Sequence, residues 1–139
     1  MSYRRRIPVE FNHCDPAGIV FYPRYFEMLN STIENFFADV LAYPFARIHL
    51  EEQCAVPTAH IDATFQTPSR LGDMLDFVLE IEDVGRSSVR LVQRVSAGGQ
   101  DRLQCTSTLV WVGRDGRAAP WPDAIRMKMK HFKETSDAA

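Results

Sequence analysis

No run of apolar residues in this sequence approaches the roughly 20 needed to cross a bilayer as a helix. The first residues also lack the apolar core of about 7–15 residues and the small-residue cleavage site of a secretory signal. The expectation is a soluble, cytoplasmic protein with no membrane partner. Cysteine is scarce. Cys14, Cys54 and Cys105 are odd in number and irregular in spacing, which argues against a disulfide framework and suits a reducing compartment. The four histidines, His13, His49, His60 and His131, are scattered, so no metal-ligand spacing results. Neither sign of charge is in excess. The net charge of −2 gives no electrostatic reason to expect a nucleic-acid partner. Arg4-Arg5-Arg6 is basic but short, and it reads as the solvated start of a strand. Repeats, linkers and low-complexity segments are absent.

What is present is an ordinary globular composition, 45% hydrophobic and 24% charged, expected to form one domain over residues 1–139. Arg4 to Phe11 reads as a first strand, with Ile7, Val9 and Phe11 on one face. From Pro23 to about Leu41 the residues Tyr25, Met28, Leu29, Ile33, Phe36, Phe37, Val40 and Leu41 recur at helical spacing. Pro23 suits the first turn of that helix, and Pro44 ends it. Phe45 to Glu52 is either a short helix or an irregular connector. Strand patterns follow around Ala59 to Phe65, Leu75 to Glu82, Val89 to Ser96 and Arg102 to Val112, the last two separated by Gly98-Gly99. Asp115-Gly116 marks a turn, and Pro122 to about Phe132 predicts a terminal helix. One long helix followed by an antiparallel meander is an α+β arrangement.

The chemistry concentrates at Asn12-His13-Cys14-Asp15-Pro16-Ala17-Gly18, which leads through Ile19 to Tyr22 into the long helix. A helix start carries free N–H groups and a partial positive charge. A carboxylate beside such donors supplies a nucleophile or general base together with a site for an oxyanion. Asp-Pro-x-Gly is also ordinary turn chemistry, and by itself it proves nothing more. Cys14 could be a nucleophile if His13 were its base. Adjacent residues of an extended segment point to opposite faces, so Cys14 reads as a small packed residue.

Asp15, Gly18, Ile19, Val20, Phe21, Tyr22, Pro23 and Tyr25 together form a pattern that resembles the hotdog-fold acyl-CoA thioesterases of the 4-hydroxybenzoyl-CoA thioesterase type. Two further blocks extend the resemblance: Pro57 to Leu75, with its Pro68…Gly72-Asp73 turn, and Gly85-Arg86-Ser87-Ser88-Val89. Only the tail after about Phe132 falls outside it. The resemblance implies a long central helix packed on a curved antiparallel sheet and hydrolysis of an aryl- or short/medium-chain acyl-CoA. It implies Asp15 as nucleophile or general base and the backbone N–H of Tyr22 as oxyanion donor. Gly18, Asn30, Thr58 and His60 would bind substrate, and Arg86, Ser87 and Ser88 would hold the CoA phosphates. No separate cofactor is implied, since coenzyme A is part of the substrate. A homodimer, pairing further into a homotetramer, would build each active site from two subunits.

Two positions depart from the pattern. His13 stands where the family often carries a second acid, and a hydrogen-bonded structural role suits it best. Asn30 stands where the 4-hydroxybenzoyl enzymes have an acid facing the aryl group, and Asn brings no charge. This departure puts a 4-hydroxybenzoyl substrate in doubt. Two rival readings remain: an acyl-thioester hydratase or dehydratase pairing His13 with Asp15, and a non-catalytic acyl-CoA binding module.

Overall fold

The structure is a computed structural model that describes residues 2–138, with side chains through Thr135. Five strands, β1 (Tyr3–Pro8), β2 (Thr58–Phe65), β3 (Met74–Val84), β4 (Ser88–Ala97) and β5 (Gln100–Val110), form one antiparallel sheet in the order β1-β3-β4-β5-β2. Helix α1 (Tyr22–Asp39) packs on this curved sheet, and α2 (Asp123–Ala138) closes the chain. The α+β arrangement expected from the sequence is the one observed.

The strict alternation in β3 sets which face is inside. Leu75, Phe77, Leu79 and Ile81 are buried, and the residues between them are not. Against this face α1 lays Tyr25, Met28, Leu29, Ile33, Phe36 and Phe37, all buried. The stripe is divided between two groups of core residues. Tyr25, Met28 and Leu29 pack with Leu75, Phe77, Val95 and Leu103 near the start of the helix. Ile33, Phe36 and Phe37 pack with Leu79, Leu91, Trp121 and Ile125 towards its end. Leu41 is also buried, although the helix has ended at Asp39.

Two boundaries differ from the sequence reading, and the connector it left open takes a definite form. The first strand stops at Pro8, and Phe11 lies in a 3-10 turn with 84% of its surface exposed. The cause is local: the N–H of Glu10 donates to His13 Nδ1 at 2.9 Å, and His13 N–H donates to the Glu10 carbonyl at 3.0 Å. This reciprocal cap curls the chain away from the sheet. The connector after Pro44 contains a π-turn at Arg47–Glu51 that buries Ile48. Helix α2 runs on past Phe132.

β1 and β2 are the two edges of the sheet. β2 is exposed along nearly its whole length, with only Ala63 partly covered, and Ile61 and Phe65 present apolar surface. No helix of the described residues is long and apolar enough to cross a membrane.

Phe36 sits fully buried among the rings of Tyr3, Phe37 and Phe132, at centroid distances of 5.7, 6.1 and 5.0 Å. Phe36→Ala should lower stability by about 3–5 kcal/mol, read as a shift of the urea midpoint with unchanged slope. A loss below about 1 kcal/mol would contradict the packing described for this end of the helix.

Candidate active site

Residues 14 to 20 form a tight reversal in which Cys14 and Val20 bridge. Asp15 N–H donates to the Ile19 carbonyl at 2.9 Å, and Gly18 N–H donates to the Asp15 carbonyl at 3.0 Å. Gly18 has φ +80°, the left-handed conformation that glycine adopts without a Cβ penalty. The turn chemistry of Asp-Pro-x-Gly is therefore present. It also leaves something over. Asp15 Oδ1 accepts from Ala17 N–H at 2.9 Å and Ile19 N–H at 3.4 Å, while Oδ2 takes no hydrogen bond among the described residues. One oxygen is held by the loop and the other is left without a partner among those residues.

The return arm enters α1 with a specific donor arrangement. Phe21 N–H is used by the His13 carbonyl at 2.9 Å. Pro23, the second helical residue, has no N–H. Arg24 N–H turns back to the Phe21 carbonyl at 2.9 Å. Among residues 22 to 24 only the Tyr22 amide is left without an acceptor, at the positive end of an 18-residue helix. The Tyr22 side chain is exposed, and its ring meets those of Phe21 and Phe65 edge-on. A cavity of about 200 Å³ opens here, lined by Ile19, Val20, Tyr22, Tyr25, Phe65 and Arg102 among others.

His13 is committed to structure. Its Nδ1 accepts from Glu10, so the neutral ring carries its proton on Nε2, and no hydrogen bond joins it to Asp15. Cys14 Sγ lies 3.6 Å from the Glu10 carbonyl, and its side chain packs against the core group at the helix start. Burial pushes the Cys105 thiol up to about 11, with Asp62 adding to the shift, so it stays protonated near neutrality.

The loop Gln66–Asp73 backs the site. Val20 N–H donates to the Ser69 carbonyl at 2.9 Å, and Leu71 N–H donates to the Gly18 carbonyl at 3.1 Å. The Tyr25 hydroxyl, one turn into α1, shares a buried 2.8 Å hydrogen bond with Ser69 Oγ. Asp73 Oδ2 accepts from Arg70 N–H at 2.9 Å and from Arg102 Nη1 at 2.7 Å. The Arg70 amide, then Arg102, hold the Asp73 carboxyl below the usual carboxylate range.

Asn30 and Thr58 meet elsewhere, in a cavity of about 360 Å³ walled by Phe26, Leu29, Ile33 and Ile61. Asn30 is eight residues beyond Tyr22, roughly 12 Å along the helix. Gln93, Cys105 and Ser107 form its floor. Gln93 is buried and donates from Nε2 to the Leu29 carbonyl at 3.2 Å. The sequence reading passed over it, although an amide in the inward series Val89, Leu91, Gln93, Val95 breaks an apolar alternation. His60 is exposed and not among the walls, with a register shift separating it from Thr58.

Arg86, Ser87 and Ser88 occupy the β3–β4 hairpin. Trp121 N–H donates to the Arg86 carbonyl at 3.0 Å and Trp111 N–H to the Ser87 carbonyl at 2.8 Å. A Cβ at Gly85 would lie 2.7 Å from Ser88 Oγ, so the Ser88 hydroxyl would have to turn away to admit one. The Arg86 side chain is exposed and makes no hydrogen bond or ion pair among the described residues. The 11 residues of β3 separate this hairpin from the Asp15 loop, which joins the Met74 end, by roughly 30 Å. Within one chain, then, Asp15, Gly18 and the Tyr22 amide come together, Asn30 and Thr58 come together, and Arg86 to Ser88 stand apart. Among the described residues no cluster of three or more His, Cys, Asp or Glu could hold a metal ion.

Residues 9–129 match the family profile of the thioesterase-like superfamily. A 4-hydroxybenzoyl-CoA thioesterase from Pseudomonas sp. strain CBS-3 is 29% identical over 99 residues, which cover 68% of this chain and 70% of that protein. The solved structure of the 4-hydroxybenzoyl-CoA thioesterase from that strain superposes with a TM-score of 0.82 at 28% identity, covering 89% of this chain and 96% of the other. A 1,4-dihydroxy-2-naphthoyl-CoA thioesterase from Synechocystis superposes with a TM-score of 0.85 at 18% identity, covering 94% and 96%. The fold shared with these proteins is the hotdog fold.

The lowered pKa of Asp73 has a consequence for stability. A depressed carboxyl stabilises the fold above its unfolded pKa, and that contribution is lost as pH falls through the folded value. Asp73→Asn should therefore melt below the parent at pH 7. The gap should narrow as the pH is taken below the usual carboxylate range. A gap in melting temperature that stays constant from pH 7 to pH 2 would contradict an ionised, paired Asp73.

Proposed function

We propose that this chain, which belongs to the thioesterase-like superfamily, acts as an acyl-CoA thioesterase with Asp15 as its catalytic carboxylate and the Tyr22 amide as its oxyanion donor. One observation carries this reading. A carboxylate tethered through a single oxygen sits on the short reversal that leads directly into an unengaged amide at the head of a long helix. The thioester carbonyl accepts a hydrogen bond from Tyr22 N–H, and the helix end stabilises the negative charge that develops on its oxygen. Asp15 Oδ2 either attacks the carbonyl carbon or takes a proton from the water that does. If Asp15 attacks, the C–S bond breaks to leave an acyl–aspartyl anhydride, which water then hydrolyses to free acid and a restored carboxylate. If Asp15 takes the proton of the attacking water, the tetrahedral adduct expels CoA directly and that proton passes to the departing sulfur. Removing one oxyanion donor typically costs about 10²–10³ in turnover, so a single amide is a substantial part of the machinery.

The apolar cavity beside Asn30 and Thr58 suits the acyl group, an aryl or short to medium chain, with Asn30 offering an uncharged hydrogen bond. Gly18 lets the backbone lie close to the substrate, and His60 lies farther out on β2. Arg86 has the forked donors that phosphate contact uses, and Ser87 and Ser88 add hydroxyls. Its distance from the Asp15 loop of its own chain favours a site shared between subunits. The exposed β2 edge, with Ile61 and Phe65, is the surface through which a homodimer would form, two such dimers making a tetramer. No observation favours the hydratase reading, because His13 is spent on its cap.

Asp15→Asn keeps the shape and removes the basic oxygen. Thiol release from aryl-CoA and fatty acyl-CoA esters should fall by about 10²-fold or more with the melting curve retained. Parent-like turnover in this variant would rule Asp15 out. Light scattering at micromolar concentration should give at least twice the 15.9 kDa chain mass. Mixing Asp15→Asn with Arg86→Ala chains should restore activity at low substrate concentration, because one site of each mixed dimer then holds both native residues. Activity no greater than that of the two variants measured separately, with subunit exchange demonstrated, would place Arg86 outside the partner's site.

A further inference from the structure

Arg102 is the one buried charged residue among those described, at 7% exposure. Its burial comes from an irregularity of the sheet. Val95 pairs with Leu103 and Ser96 with Asp101, so Arg102 is an extra residue inserted in β5. Such a bulge breaks the alternation and re-aims a side chain. Accordingly Arg102 and Leu103, consecutive in sequence, are both buried.

The re-aimed side chain grips the loop behind the site at several points. Nη1 donates to Asp73 Oδ2 at 2.7 Å and to the Pro68 carbonyl at 3.1 Å. Nη2 donates to the Ala97 carbonyl at 3.2 Å, which ties the group back to its own hairpin. The Arg102 carbonyl accepts from Gln66 N–H at 2.9 Å. Both ends of the Gln66–Asp73 loop are thus fastened to one residue. From that loop run the links already described: Ser69 carbonyl to Val20, Leu71 to the Gly18 carbonyl, and Ser69 Oγ to Tyr25 in α1. Two of them end between Asp15 and the Tyr22 amide, at Gly18 and Val20, and the third ends just beyond it, at Tyr25.

Stability alone gives a weak reason for this arrangement. Burying a guanidinium carries a desolvation penalty, and Arg102 Nε remains buried without a partner. A well-packed apolar residue there would often be no worse. We propose that Arg102 is a positioning residue for thioester hydrolysis, holding the Asp15 loop and the start of α1 in register through the Gln66–Asp73 loop. The proposal rests on the assignment of Asp15 and Tyr22 made above. It requires the planar fork of arginine, because a lysine ammonium in this place cannot span Asp73, Pro68 and Ala97 together.

The test compares the parent with Arg102→Lys, Arg102→Met and Asp73→Asn, each assayed for thiol release at a temperature where its circular dichroism is native. Misplacement of reacting groups by about 1 Å can cost up to about 10²-fold, so kcat should fall about 10-fold or more in both Arg102 variants. KM should stay within about 2-fold of the parent, because the Arg102 guanidinium is spent on Asp73, Pro68 and Ala97 and its side chain is only 8% exposed. Hydrogen exchange at the Val20 and Leu71 amides should quicken, while the central amides of β3 and β4 stay protected. Added to Asp15→Asn, Arg102→Met should cost little further, as expected of residues acting as one unit. Parent-like kcat in Arg102→Met, with Asp15→Asn impaired, overturns this proposal and leaves the catalytic assignment standing. An unimpaired Asp15→Asn overturns the assignment itself. Additive losses in the double variant reduce Arg102 to a structural part and also overturn it. If Arg102→Met does not fold, Asp73→Asn carries the same criteria, since that side chain is 31% exposed.

Discussion

Helix α1 has to bury one long apolar stripe, and the sheet offers one face on which to do it. Six large apolar residues of the helix are buried, from Tyr25 to Phe37. At about 1.5–3 kcal/mol for each large apolar side chain, their burial outweighs any local preference nearby. The stripe fixes the rotation of the helix as well as its place. Tyr25, Met28 and Leu29 must meet Leu75 and Phe77, so the helix can begin only beside the Met74 end of β3. The loop that feeds it is thereby carried to the same end. Packing decides where the positive pole of the helix emerges, and it emerges beside the Asp15 loop.

The head of the helix is economical in donors. An ordinary helix leaves several amides unpaired at its start. Here proline removes one, and Arg24 closes another onto Phe21. What is left is one amide with a defined direction, which discriminates among ligand geometries better than a fan of loose donors. The carboxylate of Asp15 is treated alike, with one oxygen tied and one free. Asp15 owes its direction to backbone bonds of a seven-residue reversal and the Tyr22 amide to the helix that follows, so their relative placement is only as firm as the loop behind them.

The sequence exposed the regular parts and the motif. The period of two in β3 and the helical spacing from Tyr25 to Phe37 report burial directly, because nothing interrupts them. Phe11 was misread because an apolar residue in alternation looks like strand, while the cap between Glu10 and His13 that removes it depends on a side-chain hydrogen bond. Asp15, Gly18 and Tyr22 are singled out by local chemistry and the resemblance, and they lie on one loop and the helix start that follows it. Arg102 was invisible for a physical reason. A bulge is a property of the pairing between two strands, and the register of Val95 with Leu103 cannot be read from either strand alone. Gln93 was visible in principle, as a polar residue where alternation calls for an apolar one.

The bulge also says how such a sheet can be altered without being rebuilt. Pairing is regular on both sides of it, from Val95 with Leu103 onward and from Ser96 with Asp101 to the turn. Shifting a strand by one residue normally turns its whole interior outward. An insertion absorbed at a single point leaves the rest of the ladder where it was, and adds one side chain that the regular pattern had no room to direct inward. A cation thus enters the interior through a change in chain length instead of through a conflict of register. The two-glycine turn at Gly98-Gly99, both residues at positive φ, lies just beyond and takes up the remaining change in direction.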